Sequence, residues 1–509
     1  MSMPMAPDLR PLPPTIALQG HLRRARLAQV AWGQTSIHAR LQVVRRLRFL
    51  IAAQADILVA AIGDRHGRTP ADTLATEVIP LADACRFLER DAARLLRPRR
   101  LGRRGRPLWL AGVAAEIRHE PLGVVMILAP GNYPLFLPGV QLLQALVAGN
   151  AVLLKPAPGC TAPLAALSEL LTDAGLPSQL VQLLDENGAG ARAAIAQGVG
   201  RVVLTGSADT GRAVLADLAP RLTPATLELS GNDAVFVLPD ADLALATDAL
   251  AFGLRLNGGA TCIAPRRVFV PQAQAAELER RLQSRLAGLP PLPVAASTLE
   301  RLAPLLDDAR CAGCRIMGAA PRAAVTAMSS VLVADAPPEL ALLQADIFAP
   351  VLALLPVRDC EEALRFDEMC PYALGASVFG PEEPARRLAV RIRAGAVTIN
   401  DLIVPTADPR LPFGGRGESG YGVTRGAEGL LELTAIKTVS IRRGRRRPHY
   451  EPRTAIDQTV FHQYLRAAHG GGWVGRIRAC ASLCAALGRR VRTVRQMAAD
   501  SRGLRRQSK

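Results

Sequence analysis

Apolar and polar positions change rhythm along this chain. Over residues 41–63, LQVVRRLRFLIAAQADILVAAIG, apolar side chains return every three or four positions, the spacing of one helical face. From Gly123 onward, short apolar runs alternate with longer amphipathic segments. The runs GVVMILA (123–129), AVLLK (151–155), LVQLL (180–184), RVVLT (201–205), TLEL (226–229) and AVFVL (234–238) predict strands. Helices are predicted between them, around 139–148, 163–174, 189–197 and 210–219. Such alternation predicts a doubly wound parallel sheet, which binds ligands at the carboxyl ends of its strands. A second α/β unit follows from about 231 to 435, with strands at 267–270, 351–357, 374–379 and 396–400.

The stretch Pro121–Leu154 has no charged residue, long enough to raise the question of a membrane span. Pro130, Gly131, Asn132 and Pro134 would leave backbone groups unpaired in lipid, so a strand, a turn and a buried helix are expected instead. An apolar fraction of 49% is that of a globular chain. Nine cysteines spread over 509 residues do not form a disulfide framework. The CxxC at Cys311 and Cys314 has no second pair, so no metal site is expected. Residues 1–20 lack the apolar core of a signal peptide, and a reducing, cytoplasmic setting is expected. Charge is concentrated at one end: residues 441–509 supply +14 of the formal +18. Basicity is therefore a property of an appendage.

Several residues suggest chemistry, each beside a plainer structural reading. Asn132, in APGNYP just past a strand, has an amide that could donate to a developing oxyanion, or could simply cap a turn. Lys155 ends the next strand and is one of only three lysines among 62 basic residues. It suits a phosphate or a ribose, or a snorkelling surface position. In LTGSADTG (204–211), Gly206 and Ser207 lead from a strand into a helix start, where an anion is favoured. Glu228 interrupts the apolar TLELSG; desolvation there disfavours its charge, which suits a general base as well as a paired structural glutamate. Cys262, in RLNGGATCIAP, is a thiol that could attack a carbonyl or merely fill a core.

Taken in order, PLGVVMILAPGNYP, AGNAVLLKPA, LTGSADTG, TLELSG, NGGATCIAP, ADIFAPV, YALGASVF, PFGGRGESGYG and IKTV resemble the NAD(P)-dependent aldehyde dehydrogenase superfamily over about 22–440. The NYP and TCxAP wording is most similar to the branch of class 3, fatty and coniferyl aldehyde dehydrogenases. The resemblance implies an α/β fold with a Rossmann-type cofactor domain (22–106 and 122–230), a catalytic domain (231–433) and a β bridging arm (107–121 and 434–442) that pairs subunits into a homodimer. An N-terminal extension (1–21) and a basic C-terminal extension (443–509) flank these. It further implies Cys262 as nucleophile, Glu228 as general base, and Asn132 with the Cys262 amide as oxyanion donors. Lys155, Gly206, Ser207, Asp346 and Phe348 would hold NAD or NADP. The implied reaction is oxidation of an aldehyde, apolar aromatic or long-chain, to its acid; a catalytically degenerate scaffold is the alternative.

This chain departs from the family pattern at several points. Gly131 stands where a large aromatic is usual, Ala260 where glutamine precedes TC, and Asp346 where a longer glutamate is usual. Pro158 replaces a glutamate that often holds the adenosine ribose, which leaves cofactor choice permissive. The interval from Cys262 to Asp346 is about a dozen residues short. In the tail, Trp473, Ile477, Cys480, Cys484, Leu487, Val491 and Val494 recur in steps of four and three, flanked by Arg476, Arg489, Arg490, Arg492 and Arg495. This predicts an amphipathic helix, either attached to an anionic membrane as a peripheral protein or packed on protein. The tail has no recognisable nucleic-acid motif, so no nucleic-acid partner is expected.

Overall fold

The computed structural model describes residues 14–318, 326–444 and 447–507. The first thirteen residues of the expected N-terminal extension lie outside the described residues; the remainder opens helix α1 (Pro14–Gln34). The chain forms two compact units. One takes the described residues up to Arg100 together with Glu116–Val439; the other takes Leu101–Ala115 and those from Ser440 on.

In the first unit, the helical pattern over 41–63 folds as two helices, α2 (Ile37–Ala53) and α3 (Ala55–Ile62). Gln54 leaves helical geometry at φ −119°, and Gly63 at φ 72° ends the second helix, so periodicity alone overstates one rod. Helix α4 (Ile79–Leu95) follows.

Then come β1 (Val124–Leu128), α5 (Phe136–Val147), β2 (Ala151–Lys155), α6 (Thr161–Asp173), β3 (Val181–Leu183), α7 (Gly188–Gln197), β4 (Arg201–Gly206), α8 (Ala208–Leu218) and β5 (Ala225–Leu229). The charge-free stretch is thus strand, turn and buried helix, with all twelve residues of α5 buried. The second sheet collects β6 (Asp233–Val237), β7 (Pro265–Pro271), β8 (Arg315–Met317), β9 (Val331–Ala334), β10 (Val351–Val357), β11 (Gly375–Phe379) and β12 (Ala396–Ile399).

Strand order in the first sheet is β13-β5-β4-β1-β2-β3, where β13 is Gly420–Tyr421. The pairs among β1–β5 are parallel, with Val125 opposite both Val152 and Arg201. The antiparallel β13 sets Gly420 opposite Glu228. Gly420 has φ 93°, and a Cβ there would stand 2.0 Å from the Leu227 carbonyl oxygen, so only glycine lets this segment lie against the strand that carries Glu228. The second sheet runs β8-β9-β10-β7-β6-β11-β12, with only β8 antiparallel among the described strands. Apolar side chains fill both its faces. Strands Arg99–Leu101, Val113–Pro121 and Thr434–Arg442 make a separate three-stranded sheet in that order.

In the second unit, α9 (Ala455–His469) and α10 (Trp473–Gln507) pack together around the break at Gly470–Gly472. The expected helix is present, but its inward side differs from the apolar stripe read in the sequence. Ala479, Ala486 and Arg490 are buried, while Trp473 is 75% exposed and Ile477 60%. Small alanines allow close approach, and Arg490 is drawn in by Asp457 (2.5 Å) and Glu451 (2.7 Å), so it does not flank the stripe in solvent. Among the described residues no helix is long and apolar enough to cross a membrane.

Candidate active site

Strand β5 carries Glu228 into the interior, where it is 2% exposed. Its Oε2 accepts a 2.8 Å hydrogen bond from the Thr424 hydroxyl; its Oε1 has no partner among the described residues. Burial pushes the carboxyl above its ordinary pKa, and nearby Arg425 opposes the rise.

Cys262 follows a turn in which Asn257 (φ 54°), Gly258 (64°) and Gly259 (78°) are all left-handed. Two reciprocal bonds tie this turn to the loop after β1. The Asn257 amide donates to the Asn132 carbonyl at 3.0 Å, and the Asn132 Nδ2 donates to the Ala260 carbonyl at 3.0 Å. The Tyr133 and Thr261 hydroxyls meet at 2.7 Å. Asn132 is thereby fixed two residues from Cys262, with a second amide hydrogen remaining on Nδ2. The half-buried Cys262 thiol is pushed above its ordinary pKa by burial and by Glu228 and Asp233, against the pull of Arg425.

A buried ion pair supports the Asn132 loop. Glu77 sits in a π-helical turn, Leu74–Val78, and accepts from the Leu135 and Phe136 amides at 3.0 and 2.8 Å. Its other oxygen accepts from Arg68 at 2.9 Å, with both side chains almost inaccessible. None of this was legible beforehand, because a single Glu in a helical stretch gives no sign of its burial.

Two cavities meet at the thiol. A polar cleft of about 450 Å³ is lined by Gly206, Ser207, Asp346 and Phe348, and also by Arg65 and Arg301. Ser207 caps α8 by accepting from the Thr210 amide. An apolar cavity of about 230 Å³ is lined by Tyr133, Phe136, Leu137, Phe252, Val404 and Phe413 among others. Cys262 and Glu228 are the two residues common to both linings, and Asn132 lines the polar one. Lys155 stands at the end of β2 but is not among the residues lining the cleft. Near it, the Glu186 carboxylate accepts from the Gly159 amide (2.7 Å) and from the Thr161 amide and hydroxyl (3.1 and 2.6 Å). A carboxylate therefore stands beside Pro158 after all, supplied by another segment. No cluster of metal-ligating side chains occurs among the described residues.

A helix start with two cations suits a pyrophosphate, and the Asp346 carboxylate suits sugar hydroxyls, so the cleft fits a dinucleotide. The aldehyde dehydrogenase family model matches residues 18–439. The chain belongs to the aldehyde dehydrogenase family. A 4,4'-diapolycopene aldehyde oxidase of Methylomonas sp is 30% identical over 89% of this chain and 87% of its own. The Mycobacterium tuberculosis aldehyde dehydrogenase complexed with NAD+ superposes with a TM-score of 0.77 at 25% identity, covering 84% of this chain and 90% of that one. The NADP-dependent glyceraldehyde-3-phosphate dehydrogenase of Bacillus halodurans C-125, complexed with NADP, gives 0.78 at 26% over 84% and 91%. As an aldehyde dehydrogenase the protein is an oxidoreductase that uses NAD or NADP. Family membership does not favour the scaffold alternative.

Proposed function

We propose that this aldehyde dehydrogenase oxidises an apolar aldehyde, aromatic or long-chain, to the carboxylic acid, with Cys262 as nucleophile and Glu228 as general base. The observation that carries the reading is the position of these two side chains on the wall shared by the polar cleft and the apolar cavity. The Cys262 proton passes to Glu228 or to water, and the thiolate attacks the aldehyde carbon. The Asn132 amide and the Cys262 backbone N–H hold the resulting oxyanion. Gly206, Ser207, Asp346 and Phe348 hold the dinucleotide, with Lys155 at the neighbouring strand end; when bound, it supplies the acceptor for the substrate's hydride. Glu228, once ionised, takes a proton from water as the new C–O bond forms, and the thioester C–S bond breaks to return the thiolate. The aromatic and aliphatic lining supports an apolar substrate, as does the name of the Methylomonas relative.

The first sheet with the N-terminal helices serves as the cofactor domain and the second as the catalytic domain. The strand Thr434–Arg442, at one edge of the three-stranded sheet, offers its outer backbone to a second copy, which supports a homodimer. On α10, exposed Trp473, Val474, Ile477 and Leu487 with Arg476, Arg489, Arg492 and Arg495 suit peripheral attachment to an anionic membrane.

A panel of aldehydes with both cofactors tests the activity, and Cys262→Ala tests the mechanism. Loss of NAD(P)H formation with cofactor binding retained is the expected result. Wild-type turnover in the alanine variant would overturn the assignment.

A further inference from the structure

We propose that Arg425 is the resident counter-ion of the catalytic pair, a positioning residue whose guanidinium supports one negative charge on Cys262 and Glu228 in turn. The proposal rests on the reading of Cys262 as nucleophile. Arg425 is 5% exposed, yet no carboxylate lies within ion-pair distance of it among the described residues. Its Nη1 donates to the Thr406 carbonyl at 2.5 Å, and its Nε, fully enclosed, has no hydrogen-bond partner among the described residues. The guanidinium stands over the Phe413 ring at 4.4 Å and near the Phe136 ring at 5.8 Å. It lines the apolar cavity beside Cys262 and Glu228, and its chain neighbour Thr424 grips the Glu228 carboxylate.

A cation taken out of water without a paired anion is costly, so such a residue persists where it has electrostatic work. The backbone adds to that cost: Arg425 has φ 60°, which an arginine adopts only when its surroundings enforce it. The charged groups that bear on Arg425 are Glu228 and Cys262. Cys262 is faced by Glu228, Asp233, Tyr133, Arg266 and Arg425. Arg266 is engaged by the Ala349 and Gly259 carbonyls, and Asp233 is held by the Gly375 amide and feels both Arg267 and Arg266. Arg425 is therefore the cation placed to act on both members of the pair. Before attack, with Glu228 protonated, the thiolate is its partner. Once the sulfur is acylated and neutral, Glu228 gives its proton up to solvent water, and the resulting carboxylate takes over as the partner, ready to accept a proton from the hydrolytic water. A single positive charge serves successive steps.

The test is alkylation of Cys262 by iodoacetamide across pH, located by mass spectrometry, in wild type, Arg425→Met and Arg425→Lys. Arg425→Met should lower the rate at pH 7 about tenfold and move the profile up by about one pH unit, the equivalent shift. Arg425→Lys should recover most of it, and the Kd for NAD+ should stay within about twofold in both, since Arg425 lines the other cavity. If Arg425→Met does not fold, Arg425→Gln replaces it as the neutral variant. A wild-type profile in the folded neutral variant overturns the proposal, as does a lysine variant that shifts as far as the neutral one. If Cys262 of the wild type does not react and Cys262→Ala keeps turnover, the nucleophile assignment itself has failed.

Discussion

Glu228 has one carboxylate oxygen held by Thr424 and the other free, which leaves a lone pair for water. Burial raises its pKa, so at a given pH more of it is protonated than of an exposed glutamate, and only the ionised form is a base. Thioester hydrolysis should therefore climb with pH through that raised value and then level. Glu228→Gln should give a burst of NAD(P)H followed by turnover slowed at least about a hundredfold, the scale of general-base catalysis. It should also erase the acid limb. Pre-steady-state fluorescence reads both, and unchanged steady-state rates would move the base elsewhere. That Cys262, Glu228 and Asn132 belong around one cleft was legible in the sequence from the order of their motifs, although each taken alone kept a plainer structural reading. Arg425 was not, since in an arginine-rich chain one more arginine attracts no notice until its burial is known.

Most strands of both sheets were legible as well, because apolar runs bounded by glycine and polar residues leave little choice for buried strands, but the short Arg315–Met317, Val331–Ala334 and Gly420–Tyr421 were not. What else the pattern withheld was long-range: the order of strands, the break at Gln54, and the reach of Glu77 to the first turn of α5. That last link supports a prediction. Glu77→Gln leaves Arg68 buried without its countercharge and weakens the grip on two amides. Loss of half of a buried pair costs about 3–5 kcal/mol. Urea denaturation should show a loss of that size, and activity should fall further than stability alone explains because Asn132 hangs from the same loop. A change under about 0.5 kcal/mol would show that the pair is dispensable.

On the scale of the full chain, the C-terminal unit combines exposed apolar side chains with a strong positive charge. Protein ending near Arg447 should stay in the supernatant with anionic vesicles, while the full chain sediments at low salt and is released as salt rises. If both stay in the supernatant, the helix face packs on protein instead. The shared wall at Cys262 has a separate kinetic consequence. If, as proposed, the polar cleft takes the dinucleotide and the apolar cavity the aldehyde, the two approach the sulfur from different chambers and neither has to wait for the other to vacate a common passage. Traffic through the enzyme need not be sequential by necessity of shape. An unreactive acid or amide analogue of the aldehyde should raise the KM for aldehyde alone, and ADP should raise the KM for NAD+ alone. Competition that crossed between the two would mean that both ligands use a single doorway.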